Sequence, residues 1–336
     1  MTDYRTHVAT PGPARKFACE AVVLLLATGC AMGLLLAVPA QADVALYQAM
    51  VPLKSSAEAD RAAAFGEALK VAAVRASGRS DAGAVPAIAT AAAAPTSYIQ
   101  QYSTTTDRML KVGFDGRAME QLLQQAGLPL WPAERPVTTV YLFLPAIAGG
   151  ARAVTAAELP PERVEVERAA AVRGVPLAWP AESVDLATAR TRTAGAGQKA
   201  AGLLGVPGTT GYDWTFGHAG QSARGQGGLA SGLGLAADNL ASRYAPGSTR
   251  SVRTVSIAVG GLADVRAYAA LTKYLEGLSL VRSVSLRALS GSTAHLSLDV
   301  RGDLELLRRI VALDGRLQPV AQGEPQGDVA EFSWQP

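Results

Sequence analysis

Residues 255–320 read VSIAVGGLADVRAYAALTKYLEGLSLVRSVSLRALSGSTAHLSLDVRGDLELLRRIVALDGRLQPV, and their periodicity decides the architecture. Val255, Ile257 and Val259 alternate, the mark of a strand with one buried face. Asp264 then precedes Val265, Tyr268, Thr272 and Leu275. Three- and four-residue spacing predicts a helix, and a short carboxylate before it accepts hydrogen bonds from the amides of the first turn. Val284 and Leu286 point one way in a second strand, Leu296, Leu298 and Val300 do so in a third, and Gly291-Ser292 supplies the turn between them. Asp303 caps a second helix lined by Leu304, Leu307, Ile310 and Val311; Gly315 follows, and Leu317 to Val320 is the last strand. The order β-α-β-β-α-β is that of a ferredoxin-like unit. Helices cover one side of such a sheet, so Ser256, Ser285, Arg287, His295, Ser297 and Asp299 are expected on the open side, with Ser285, Arg287, His295, Ser297 and Asp299 as the candidate partner face.

Upstream, the same reasoning predicts two further modules, giving a mixed α/β and α+β chain of three small modules. In the first, Ser55-Ser56-Ala57-Glu58 has capping-box spacing, Ala62, Phe65, Leu69, Ala72, Ala73 and Ala76 form one apolar stripe, and Gly78 stands where a left-handed cap ends a helix. The Ala-rich patch 82–94 is either a small-residue helix or a mobile loop. Tyr98 to Tyr102 and Leu110, Val112 and Phe114 read as strands, and Asp115 caps a helix that Gly127 ends. Proline-rich residues 128–136 mark a junction. In the second module, the unbroken Val137 to Leu144 run suits a strand covered on both faces. Pro161 to Arg173 reads as a helix, Val175 to Ala178 as a parallel strand, and residues 181–200 as loop and weak helix. Tyr212, Trp214 and Phe216 alternate, a Gly-rich turn follows, and Leu229 to Tyr244 is a helix. The expected boundaries are 1–42 for an export segment, 43–132, 136–246 and 250–321 for the modules, and 322–336 for a tail.

The N-terminus sets the compartment. Arg15 and Lys16 precede an uncharged run from Ala21 to Ala40, and Ala40-Gln41-Ala42 offers small residues where a signal peptidase reads, so cleavage is expected between Ala42 and Asp43. The run is also long enough to stay as an uncleaved anchor, about 18 residues sufficing to span a bilayer. Leu26-Ala27-Thr28-Gly29-Cys30 resembles a lipobox with Leu one position early, which leaves lipidation at Cys30 as a third alternative. Periplasmic location is the expectation, with an inner-membrane anchor facing the periplasm as runner-up.

Composition then excludes chemistries. Thirty-one Lys and Arg against 28 Asp and Glu give a net charge of +3, too small a field for a polyelectrolyte binder. Cys19 and Cys30 both lie in the export segment, so a processed chain carries no thiol for disulfide, nucleophile or metal. Of three histidines only His218 and His295 lie beyond residue 42, which leaves no His-based metal site, and no cofactor is expected. His295, Ser297 and Asp299 have the residue types of a hydrolase triad, but alternate positions on one strand stand about 7 Å apart, too far for linked hydrogen bonds. Gly225-Gln226-Gly227-Gly228-Leu229-Ala230 partly fits a dinucleotide fingerprint, but no acidic residue stands in an obvious second strand about 20 residues on, and a flexible turn is the favoured reading of the glycines. The open sheet lacks stacking aromatics and a basic stripe, so nucleic acid is not a partner.

The order of several segments resembles the bacterial exported family called domain of unknown function 2066. The resemblance rests on Val74-Arg75-Ala76-Ser77-Gly78-Arg79, Leu110-Lys111-Val112-Gly113-Phe114-Asp115, Leu128-Pro129-Leu130-Trp131, Arg135-Pro136, Tyr212-Asp213-Trp214, Ala236-Ala237-Asp238-Asn239-Leu240-Ala241 and the Tyr268 to Leu278 segment. Residues 181–210 depart from the pattern, lacking a clean apolar strand before the Trp segment. The resemblance implies an envelope location and carries over no catalytic residue.

Two functions follow. The sequence leans away from an enzyme and toward a non-catalytic cell-envelope interaction or assembly module that offers sheet faces or edges to an envelope protein; the membrane is a partner only if the N-terminal segment stays uncleaved. The alternative is a periplasmic small-ligand binder or enzyme with a site between modules, near Trp131, Trp179 or Trp214.

Overall fold

Alternating strands and amphipathic helices pack into three sheets in a computed structural model, which describes residues 41–43, 45–145, 150–245, 252–320 and 329–335. The chain is mixed α/β. Strand β1 (Gln41–Asp43) leaves for a later sheet, and the first module is β2 (Gln48–Pro52), α1 (Glu58–Ser77), α2 (Pro86–Ala93), β3 (Ile99–Thr104), β4 (Met109–Phe114) and α3 (Gly116–Gln125). Its antiparallel sheet has the order β2-β4-β3, and Leu69, Ala72, Ala73, Leu110, Val112, Met119 and Leu123 fill a core of its own. The Ala-rich patch is helical because α2 packs tightly on α1: a Cβ at Gly66 would collide with the Ala92 carbonyl. Gly78 adopts φ +74 at the end of α1, and Asp115 accepts from Ala118 N at 2.8 Å. The capping box does not form. Ala57 is the N-cap, while the Ser55 hydroxyl accepts from Ala57 N and donates to Asp60.

The second sheet is built from β5 (Glu134–Pro145), β6 (Ala151–Ala153), α4 (Pro161–Arg173), β7 (Leu177–Ala178), α5 (Leu186–Ala194), β8 (Ala200–Gly208), β9 (Gly211–His218), β10 (Gln221–Gly227) and α6 (Leu229–Tyr244). Its order is β1-β5-β8-β9-β10, with β6 and β7 also paired to β5. Two expectations are corrected. Residues 181–210 do contain a strand: β8 lies parallel to β5 in mid-sheet, and α5 precedes it, capped by Asp185. Its glycines hide it from a β-propensity reading, yet two of them are required, since a Cβ at Gly202 would stand 2.8 Å from Thr193 Cα and one at Gly205 would stand 2.5 Å from the Trp214 ring. The Gly-rich segment is also no turn and no dinucleotide site: residues 221–227 are β10, antiparallel to β9 through a two-residue hairpin, whereas a phosphate-cradling fingerprint needs a parallel crossover.

The third sheet comprises β11 (Val252–Gly260), α7 (Val265–Gly277), β12 (Val281–Ser290), β13 (Thr293–Arg301), α8 (Leu304–Asp314), β14 (Leu317–Pro319) and β15 (Val329–Trp334). Asp264 and Asp303 cap the two helices, accepting from Ala267 N and Leu306 N. The order is β12-β13-β11-β15-β14. A simple ferredoxin-like unit would seat the strand after α8 beside β11. Here β15, from the expected tail, takes that place, parallel to β11, and pushes β14 to the edge. Burial explains the insertion: Ala330, Phe332 and Trp334 alternate inward from Glu331 and Ser333. One hydrophobic cluster runs from Val140, Leu203 and Trp214 through Leu240 and Tyr244 to Leu271, Leu296 and Ile310, so the second and third sheets share a core. The expected boundary between them at residues 246–250 lies outside the described residues.

Candidate functional site

Three strands set out the open face of the third sheet in rows. Asp299 of β13 is flanked by Thr254 of β11 and Ser283 of β12, and both hydroxyls donate to its carboxylate at 2.7 Å. Those hydrogen bonds, Ser283 first, hold the Asp299 carboxyl below the usual carboxylate range. One row along, Ser297 stands between Ser256 and Ser285 and accepts from Arg287 Nη2 at 3.2 Å, which leaves Ser297 only 6% exposed. Arg287 owes this aim to a bulge between Leu286 and Ala288. His295, half-buried, lies beside Ala258 and Ala288. β15 extends the face with Glu331, opposite Ala258. The five candidate residues therefore share one polar surface. His295, Ser297 and Asp299 form no hydrogen-bonded chain with one another, and their hydroxyl and carboxylate partners lie on neighbouring strands.

A second polar constellation, missed in the sequence, ties the sheets together. Arg135, fully buried, donates to four backbone carbonyls: Nε to Pro132 O at 2.9 Å, Nη1 to Gly174 O at 2.7 Å, and Nη2 to Arg75 O at 2.8 Å and Trp131 O at 3.2 Å. Its guanidinium lies 3.7 Å from the Trp131 ring centre, and burial together with nearby Arg75 lowers its pKa well below the ordinary arginine value. Arg75 donates in turn to Gln48 O and, from its other amine, to Ala171 O. Beside it, Ser279 N and Oγ both donate to the Glu134 carboxylate at 2.6 Å. Glu120 of α3 pairs with Arg301 and Arg282 of the third sheet and accepts from the Tyr47 hydroxyl, whose pKa rises through burial and then through Glu120. The one signal available was Glu134-Arg135, two charges at the head of a strand buried on both faces.

The tryptophans of the alternative site are otherwise engaged. Trp131 and Trp214 are core residues at 0% and 1% exposure. Trp179 edges an open groove of about 340 Å³ whose one carboxylate, Glu167, already accepts from Arg163 and from the Trp179 indole. His218 is buried; its Nδ1 meets Ala200 O at 3.1 Å and its Nε2 the Tyr244 hydroxyl at 2.9 Å. Among the described residues no group of three or more His, Cys, Asp or Glu side chains is placed to hold a metal, and no helix is long and apolar enough to cross a membrane. Residues 1–40, with the apolar run, Cys19 and Cys30, lie outside the described residues, and the expected scissile bond Ala42–Asp43 falls inside β1, opposite Arg135 and Glu134 of β5.

Residues 40–132 match a family described as Domain of unknown function (DUF8605), a segment that takes in the first sheet and its helices. No curated protein and no solved structure matches the chain.

Proposed function

We propose that the protein is an exported, non-catalytic cell-envelope module of bacteria, which docks a protein partner on the open face of its third sheet. The observation that carries this reading is the face itself: Ser285, Arg287, His295, Ser297 and Asp299 stand on one side of the sheet, with Asp299 and Ser297 bonded to side chains of neighbouring strands and the five not arranged as a proton relay. A surface of short hydroxyls with the Asp299 and Glu331 carboxylates and the Arg287 guanidinium suits reversible polar recognition. Support for the envelope location comes from the basic start and apolar run before Ala42, and from the order of segments that resembles the exported domain of unknown function 2066. Periplasmic residence after cleavage at Ala42 is the reading adopted, with an uncleaved anchor as the second.

The test joins location and face. The full chain is expressed with a photo-crosslinking amino acid at position 285 or 287, or at position 305 on α8 as control, and fractionated after irradiation. Expected are a periplasmic product whose mass begins at Asp43 and an adduct of defined mass from 285 and 287 only. A cytosolic product retaining Met1, or equal adducts from all three positions, would refute the proposal.

A further inference from the structure

The first sheet ends at β3, and a groove of about 520 Å³ follows that edge, lined by Phe65, Thr96, Ile99, Gln100, Gln101 and Tyr102. Phe65 and Tyr102 meet edge to face with ring centres 5.0 Å apart, yet Tyr102 remains 55% exposed. It is a large ring packed against one neighbour and more than half open to solvent. The bulge between Ile99 and Gln101 takes Gln100 out of the ladder and turns it toward the groove, while Gln101 lies across Gly113, where no Cβ obstructs it. Among the described residues, the side chains of Thr96, Gln100, Gln101 and Tyr102 make no hydrogen bond, so their donors and acceptors are uncommitted. No charged residue lines the groove.

Each feature narrows the ligand. The lack of cations and carboxylates removes phosphates, nucleic acid and metal ions. The bulge removes Gln100 from the row of edge amides that strand addition by a peptide would use and leaves only the short regular edge Gln101–Thr104. What remains is a neutral molecule with an apolar face for the ring and hydroxyls that both donate and accept. We infer that the β3 groove is a binding site for a neutral oligosaccharide chain, stacked on Tyr102 and held by the Gln100 and Gln101 amides. The site is separate from the face of the third sheet, so either reading can fail alone.

The test titrates the full-length protein into reducing-end-labelled chitotetraose, cellotetraose and maltotetraose, read by fluorescence anisotropy. Expected is saturable binding of at least one at millimolar protein or below, weakened about tenfold or more by Tyr102→Ala and largely kept by Tyr102→Phe. Because Tyr102 is more than half exposed, Tyr102→Ala should lose only the Phe65 ring contact and still unfold cooperatively a few degrees below wild type, well above the assay temperature, which separates lost binding from lost folding. No binding of any of the three, or equal affinity in Tyr102→Ala, overturns the site. So does a concentration-dependent dimer that Tyr102→Ala dissociates, since the groove would then be an interface between copies.

Discussion

Replacing Arg135 by Met keeps much of the side-chain volume and removes every donor. Four carbonyls, of Pro132, Gly174, Arg75 and Trp131, then lose their partner at once. Each buried acceptor left unsatisfied costs about 1–3 kcal/mol, so the gross penalty exceeds about 4 kcal/mol. Against it stands the desolvation of a buried cation, several kcal/mol that the variant no longer incurs. The net expectation, four lost hydrogen bonds from a charged donor less that desolvation, is a loss of about 3–5 kcal/mol. Arg135→Lys keeps the charge but has neither the planar fork nor the reach for four carbonyls, and should lose about half as much. Equilibrium urea unfolding reads both variants, with Trp131, directly under the guanidinium, as fluorescent reporter. A loss below about 1 kcal/mol for Arg135→Met would refute the reasoning, because the carbonyls would then have found water.

Two further outcomes follow from the second sheet. Gly205→Ala sets a Cβ 2.5 Å from the Trp214 ring, which Gly232 of α6 boxes in from the other side, and should cost about 3 kcal/mol; an unchanged urea midpoint would mean that the indole has room to move. His218 is held below its ordinary pKa of 6.5, chiefly by burial, so the unfolded chain takes up a proton before the folded one does. Stability should therefore fall as pH drops below 6.5, until the folded-state pKa is passed, and His218→Gln should flatten that slope; parallel pH profiles for the two proteins would sink the assignment.

What the sequence disclosed was local and periodic. Asp115, Asp264 and Asp303 announce their helices because an N-cap acts within three residues of itself, and each accepts the amide hydrogen bond that its position implies. Gly78 and Gly315 end theirs with positive φ for the same reason. The open face was legible too, because period two places alternate residues on one side whatever their partners are. Features that depend on remote neighbours were not. β8 does not read as a clean apolar strand because its glycines accommodate Thr193 and Trp214, which only the folded sheet brings to them. Arg135 looks like a junction charge until Gly174, 39 residues away, and Arg75, 60 residues away, supply carbonyls. The groove at β3 escaped because its meaning lies in Phe65 of another element meeting Tyr102.

The place of β15 makes the third sheet depend on a short, late segment of the chain. In the strand order β11 and β14 are not neighbours, and each pairs instead with residues 329–334. Removal of those residues would part the two strands and strip Phe332 and Trp334 from the core shared with the second sheet, so a handful of positions far from the first two modules holds half of the molecule shut.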